Sequence, residues 1–593
     1  MQRRTVLSGI AAAPFLAGRR LAAAPPFRRV RPGEPGWPTP AEWSGLQARL
    51  RGQLIRVLPP FAPCRSADDA ACQALFRTLS NPYAIGDTAG LTQTLGWLDA
   101  WVSEPSIYAV AAEDASDVAA AVEFAARHRL RLVVKGGGHS YQGTSNAADS
   151  LLVWTRPMRA ITLHDAFVPA GCTTAPAPAV SIGAGSIWMH TYEAVTVRAG
   201  RYVQGGGCAT VGVAGLIQGG GFGSFSKAFG IAAGALLEAE VVTADGRIRV
   251  VNECRDPDLF WGLKGAGNSL GVITRLTLRT RILPTWFGIV ALTIKARSDA
   301  AFRRLAGQFM TFYAEHLYNP HWGEQARFRP DNALQIMMLF QGLDQQTARS
   351  TWQPLLDWVA ASQADFTLIP EPGIVALPAR RLWDPAFLRR QPGIVLSDDR
   401  PGASPDNAYW AGNRAEAGWF IDAYESIWLP SGLLRPEARE RFVDALVRAA
   451  RHWHVSLHFN KGLAGAPDDA VAAARDTAVN PAVLDAFALA ISASTAPPAY
   501  PGIPGHEPDL VGGRARAARV ARGMQELRAL VPDAGSYASE ASYFDRDWQH
   551  AYWGANYQRL LAVKQRYDPD GLFFVHHGVG SEAWSPDGFT RLG

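Results

Sequence analysis

Cysteine is scarce, and long apolar runs are missing. Five cysteines occur in 593 residues, too few for a disulfide-built scaffold and an odd number for complete pairing. After the N-terminus no stretch of eighteen or more uncharged apolar residues appears, which argues against a membrane-spanning helix. No block of basic residues survives outside the N-terminus either, so nothing suggests a nucleic-acid surface. What remains is a chain that is 48% apolar, the composition of a globular protein. At this length it exceeds one ordinary domain and can build two cores.

The first two dozen residues read as a targeting segment. Arg3 and Arg4 form a twin-arginine pair, the apolar run Val6 to Ala17 follows, and Ala22, Ala23 and Ala24 offer a cleavage region. The run is short for a transmembrane helix and suits a signal peptide of the Tat type, with an ordinary Sec signal as the alternative. Loss of this segment removes Arg3, Arg4, Arg19 and Arg20 and takes the formal charge from +5 to +1. Export to a periplasmic or extracellular space permits disulfides. Cys64 and Cys72 are close enough in sequence for a local bridge, and Cys172 with Cys254 is a possible second. Cys208 is then left without a partner.

Residues 24–60, rich in Pro, Gly and Arg, read as a loosely packed arm. From Tyr108 the texture becomes α/β. Ser116 and Asp117 can cap a helix carrying Val118, Val122 and Ala125 at helical spacing. Strands are expected at Leu130 to Val134, Leu151 to Trp154, Ala179 to Ile182, Ala239 to Val242 and Val272 to Leu278. From Trp286 aromatics, prolines and charged helices alternate without another glycine-rich loop; Ala301 to Glu315 and Glu437 to His452 are candidate helices. The expected organisation is a signal over 1–24, an N-terminal extension over 25–104, a first domain over 105–285, a second over 286–534, and a tail over 535–593 that returns to the first.

Glycine clusters carry the chemistry. Lys135-Gly136-Gly137-Gly138-His139-Ser140-Tyr141-Gln142-Gly143 follows a strand, and Gln204-Gly-Gly-Gly207-Cys208-Ala-Thr210-Val-Gly212 leads into Gln218-Gly-Gly-Gly-Phe222-Gly223. A third cluster is Lys264-Gly-Ala-Gly267-Asn268. Glycines allow positive φ and close approach of the main chain to a ligand, and successive N–H groups can form a nest for a pyrophosphate. The common nucleotide motifs fail on residues. Gly221 to Lys227 resembles a P-loop, but Ser226 stands where glycine should precede the lysine, and Ala228 replaces Ser or Thr. No Gly-x-Gly-x-x-Gly opens a helix after the first strand.

The two glycine motifs, with the ending Trp553-Gly-Ala-Asn556-Tyr557 … Val563-Lys564 … Tyr567-Asp568-Pro569 … Phe574, resemble the berberine-bridge-enzyme-like flavoproteins of the vanillyl-alcohol oxidase and p-cresol methylhydroxylase superfamily. The resemblance covers about residues 105–285 and 535–585. It implies an α+β, two-domain, PCMH-type FAD-binding fold with an inserted substrate domain, an antiparallel sheet covered by helices. It implies FAD held by two covalent links: His139 to the 8-methyl carbon (8α-N1-histidyl) and Cys208 to C6 (6-S-cysteinyl). Imidazole and thiolate are side chains nucleophilic enough to add to an electron-poor ring. By the same match Gly136, Gly137, Gly138, Ser140, Gly143, Gly207, Thr210, Gly212, Val213, Gly215, Gly267, Asn268, Val272, Asn556 and Tyr557 would line the cofactor. Ala209 stands where proline is common in relatives.

Hydride transfer from a carbinol carbon needs a base for the hydroxyl proton. In the run Gly535-Ser-Tyr537-Ala-Ser-Glu540-Ala-Ser-Tyr543, Tyr537 and Glu540 fall on the family's Y-x-N-E or Y-x-N-Y pattern, with Ser539 replacing asparagine. Tyr537 is the expected base, on a strand before the tail, and a cation or the flavin must then lower its pKa from ~10. Tyr543 is the second candidate, and Tyr141 is expected on the substrate side. Val213 lies where relatives tune oxygen access, and a small side chain there favours an oxidase. His576 and His577 have no metal-ligand spacing, and no metal is expected. The reaction expected is oxidation of a small-molecule hydroxyl with O2 as acceptor. A dehydrogenase using another acceptor and a non-catalytic flavin carrier are the alternatives.

Overall fold

A computed structural model describes residues 27–592 apart from 65, 67 and 68. The expected signal segment, with Arg3 and Arg4, lies outside the described residues. No helix among the described residues is long and apolar enough to cross a membrane.

Three large sheets, and a two-stranded one of Val395–Ser397 and Ala408–Trp410, organise the described residues. The first is four-stranded, in the order Gln53–Arg56, Tyr108–Ala111, Ser150–Trp154, Arg131–Lys135. Its last three strands run parallel, and Val110, Leu151, Leu152 and Val153 are fully buried, as parallel strands covered on both faces require. The second is antiparallel: Ile248–Val251, Leu236–Val242, Val272–Ile282, Ala177–Gly183 and Ile161–Phe167, with Arg201–Val203 paired to the far end of Val272–Ile282. The third is nine-stranded, in the order Phe366–Pro378, Trp286–Ala296, Ala333–Gln341, Trp322–Phe328, Val455–His458, Ala486–Ala496, Trp419–Pro430, Thr94–Trp97, Trp101–Val102. This is the α+β architecture the resemblance implied.

Helices cover the large sheet because their sequences present one apolar stripe each. Asp299–Phe312 is capped by the Ser298 side chain and buries Phe302, Leu305, Phe309 and Met310. Pro436–His452 starts with proline at its first turn and buries Phe442, Leu446 and Ala449. Each fully buried Leu or Phe contributes roughly 1.5–3 kcal/mol.

Three expectations need correction. The helix Ala115–Arg127 is capped by Asp114, which accepts from Ser116 and Asp117. Asp117 lies inside the first turn, buried, and accepts from the main chain of Arg51, Gly52 and Glu113. The segment read as a loose arm is folded: Thr39 and Glu42 form a capping box on Pro40–Gln47, Trp43 and Leu46 are buried, and Gln53–Arg56 joins the first sheet. Composition misled there because Pro40 occupies the first turn of a helix, where proline is tolerated. Finally, Tyr537 is on a turn before Ala538–Glu540, not on a strand.

Candidate active site

The strand Arg131–Lys135 delivers the first glycine loop. Lys135, fully buried, donates its ammonium to the carbonyls of Thr88 (3.0 Å), Ala89 (2.5 Å) and Leu91 (2.9 Å). Burial pulls its pKa down to about 7, yet three carbonyl acceptors match the three donors of a full ammonium. The lysine therefore pins the start of the loop to residues 88–91.

The second loop lies directly against the first. A methyl group on Gly137 would sit 2.7 Å from the Gly212 nitrogen and 2.8 Å from the Thr210 oxygen. Gly138 and Gly143 have φ of +78° and +70°, a region other residues rarely enter. Neither loop commits its main-chain donors to the protein. From Gly136 to Gly143 and from Gly205 to Gly212 no main-chain N–H finds an acceptor among the described residues. Two facing runs of free N–H groups fit the pyrophosphate and ring oxygens of a dinucleotide. On that ground the residues present fit FAD.

His139 bonds through Nε2 to the Thr210 hydroxyl at 3.0 Å, bridging the two loops. Burial pulls its pKa down to about 3, which favours the neutral imidazole. Both expected disulfides form, Cys64–Cys72 and Cys172–Cys254, and Cys208 is the free thiol. Its S–H points to Glu416 Oε2 at 3.7 Å, and Asn413 Nδ2 donates to its sulfur at 3.5 Å. Burial, then the charge of Glu416, pushes the thiol pKa well up. Burial pushes Glu416 up to about 7.

Around this thiol the structure gathers residues that sequence reasoning missed. The charges of Glu416, Lys461, Glu540 and Glu324 all bear on Cys208. Lys461 is ion-paired with Glu540. Glu324 accepts from the Ser224 hydroxyl at 2.5 Å and has φ of +65°, a conformation that non-glycine residues adopt at a cost of order 1–3 kcal/mol and that concentrates at functional sites. Glu324, Glu416 and Lys461 come from separate parts of the chain and carry no local motif. Glu540 lies on the pattern in which Tyr537 is the expected base.

Tyr141 joins this cluster, its ring 5.1 Å from that of Tyr424 and 5.4 Å from that of Trp419. Tyr537 lies behind it, edge-on to Phe222 at 4.9 Å, its hydroxyl bonded by Ser539 and the Gly221 main chain. Burial, then the charge of Glu540, pushes Tyr537 up. Tyr543 is held elsewhere, stacked on His576 at 3.7 Å, and His576 bonds the Tyr543 carbonyl.

The remaining candidates divide. Val213 opens the helix Val213–Gln218 and is fully buried, and Gly215 on that helix has no neighbour within 4 Å of an added methyl group. Ser140 accepts from the Thr144 main chain, and the Gly207 carbonyl accepts from the Trp410 indole. Gly267 (φ +66°) and Asn268 (φ +67°) turn the chain before Val272 starts its strand. Asn556 donates to the Val479 carbonyl at 2.9 Å, and the Tyr557 hydroxyl bonds Glu582 at 2.6 Å, so both commit their polar groups to the protein.

A mixed and antiparallel α+β frame with two facing glycine loops suits a dinucleotide, and the comparisons give the class of protein that this frame resembles. Residues 106–252 match the FAD binding domain and residues 526–580 match the berberine and berberine like family. The VAO-type flavoprotein oxidase VAO615 of Thermothelomyces thermophilus is 28% identical over 608 residues, spanning 96% of this chain and 95% of that protein. In fold the chain is similar to the crystal structure of the VAO-type flavoprotein MtVAO615 from Myceliophthora thermophila C1 (TM-score 0.76, 24% identity, 95% of this chain and 100% of that one). It is also similar to the glucooligosaccharide oxidase of Acremonium strictum (TM-score 0.64, 19% identity, 83% and 94%). Several relatives are named FAD-linked oxidoreductases, among them ZEB1 of Gibberella zeae, 27% identical over 574 residues, spanning 93% of each chain. Over the two matched segments, and in its fold, the chain is similar to the berberine-bridge-like, VAO-type flavoproteins.

Proposed function

We propose that the protein is an exported oxidase that holds FAD through both His139 and Cys208 and oxidises the hydroxyl group of a small molecule, such as an alcohol or a sugar, with dioxygen as final acceptor. The observation that carries this reading is the facing pair of glycine loops, each presenting one nucleophile and a row of free N–H groups. The Acremonium strictum oxidase, whose described FAD is 6-S-cysteinyl, 8α-N1-histidyl, supports the same pairing here, and two disulfides suit an oxidising compartment.

Bound FAD supplies the two-electron acceptor for the hydride. The chain's own part is to orient the substrate and take its proton. Glu540, held by Lys461 on the side where Cys208 and Tyr141 gather, is the stronger candidate for the hydroxyl proton, and Tyr537, buried behind it, the second. Burial pushes the Tyr537 phenol up, which opposes the phenolate form a base would need.

The test is whether flavin stays on the polypeptide after acid denaturation. Wild type, His139→Ala and Cys208→Ala should each retain it, and the double variant should release it. Free flavin from the wild type would overturn the reading.

A further inference from the structure

Resting on the bicovalent reading above, we infer that Glu416 is the general base that makes the Cys208–flavin bond, with Asn413 holding the sulfur for attack. The short turn Ala411–Glu416 carries both residues onto the cysteine loop, and Trp410 just before it donates to the Gly207 carbonyl at 2.9 Å. The turn thus touches the second glycine loop at two successive residues and nowhere commits Glu416 to a cation of its own. Among the described residues Glu416 has two hydrogen-bond partners, the Cys208 thiol and the Asn413 amide.

The arrangement answers a difficulty set by the site. A thiol is nucleophilic only as the thiolate, and burial together with neighbouring carboxylates opposes that form at Cys208. Transfer of the proton to a carboxylate already in contact leaves the net charge of the pair unchanged. The thiolate then keeps the Asn413 N–H as donor and the Lys461 charge nearby. The opposite carbonyl end of Asn413, Oδ1, is buried without a partner, so the amide is held for its N–H face.

The step balances as follows. The S–H proton passes to Glu416, the sulfur bonds to C6 of the flavin ring, and the hydrogen on C6 leaves as a proton. The electron pair remains in the ring as reduced flavin, which dioxygen reoxidises to give hydrogen peroxide. Thiol, oxidised flavin and O2 thus give the thioether, oxidised again, and H2O2. Glu416 returns its proton to water.

The groups that face Glu416 are Cys208, Asn413, Glu540 and Lys461, with Tyr141 and Tyr424 across the cluster. Glu416 is pushed up to about 7 and is a base above that value. Formation of the bond should therefore accelerate as pH rises through about 7.

The experiment uses the full-length chain in a His139→Ala background, so that the cysteinyl link is the only covalent one. Flavin-free protein is mixed with FAD in air, and the mass of the Cys208-containing peptide is followed with time between pH 5.5 and 8.5. Glu416→Gln should slow attachment at least tenfold and flatten its pH profile, a modest demand against the ~10²–10⁴ usual for general bases. Glu416→Asp should restore part of the rate. Equilibrium FAD binding, read by quenching of protein fluorescence, should be unchanged in both variants, which separates a catalytic loss from misfolding. Attachment by Glu416→Gln at the parental rate and pH profile overturns the inference. No FAD-bearing Cys208 peptide from the parental protein overturns the bicovalent reading itself.

Discussion

Glu540 and Tyr537 are three residues apart on one turn, and their environments set them on different courses. Glu540 is fixed by Lys461; Tyr537 is 5% exposed, with its ring against Phe222 and its hydroxyl bonded within the protein. Glu540→Gln should lower the rate of anaerobic flavin bleaching by ~10²–10⁴, the usual worth of a positioned base. Tyr537→Phe should lower it less than tenfold. The readout is stopped-flow reduction with whichever alcohol or sugar of a panel bleaches the wild-type flavin fastest; the reverse ranking returns the base to Tyr537. The family pattern made both residues legible in the sequence, but not which of them faces Cys208. That depends on Lys461, which the turn after Val455–His458 brings to Glu540. Glu324 and Glu416 were illegible for the same reason. Neither sits in a motif, and only tertiary packing brings the strand of Glu324 and the turn of Glu416 to the thiol. The glycine loops were legible because their chemistry is local: positive φ and free N–H groups need several residues in a row.

Among the elements, the disulfides differ in what they restrain. Cys64–Cys72 closes a separation of 8 residues, whereas Cys172–Cys254 closes one of 82. The longer link ties the turn after Ile161–Phe167 to the turn after Ile248–Val251, the strands at the two edges of the second sheet. Loop-closure entropy assigns about 2.5 kcal/mol to the short loop and about 4.5 kcal/mol to the long one. Replacing both cysteines of the long pair by alanine should therefore destabilise the protein by about 2 kcal/mol more than the same change in the short pair. Urea unfolding of the two variants measures this, and equal losses would show that native packing, not chain entropy, sets their worth. The ending motif also becomes intelligible at this scale. Lys564 and Asp568 pair at 2.6 Å in the core, and Lys564 further donates to the Ser269 and Phe573 carbonyls. Asp568 accepts from the main chain of Leu572 and Phe573. That stretch of the tail is a structural pin for the turn after Gly267, which its position in the sequence did not reveal.

At the scale of the molecule, the two expected domains share a core. One continuous apolar cluster includes Val180, Ile182 and Leu276 of the second sheet and Trp428, Leu489 and Ile491 of the nine-stranded sheet. Thr94–Trp97, which precedes the FAD binding match, pairs in parallel with Trp419–Pro430 inside the nine-stranded sheet. The boundaries drawn from sequence texture at 105, 285 and 534 therefore mark changes of composition that the packing crosses. Calorimetry of the flavin-loaded protein should give a single cooperative transition whose midpoint falls for both sheets together when flavin is omitted. Two separable transitions would show that the shared core is not energetically continuous.

The pairing of Thr94 with Trp419 also has a temporal side. Trp101–Val102 covers one edge of this strand at once, but its other edge has no partner until more than half of the chain has followed it, and the ordering of so large an intervening segment slows closure. The edge of the strand Thr94–Trp97 then waits exposed, a feature that favours aggregation of incomplete chains. Closure of the nine-stranded sheet on this side accordingly waits on delivery of Trp419–Pro430 by the ribosome, an interval in which an exposed strand edge needs guarding.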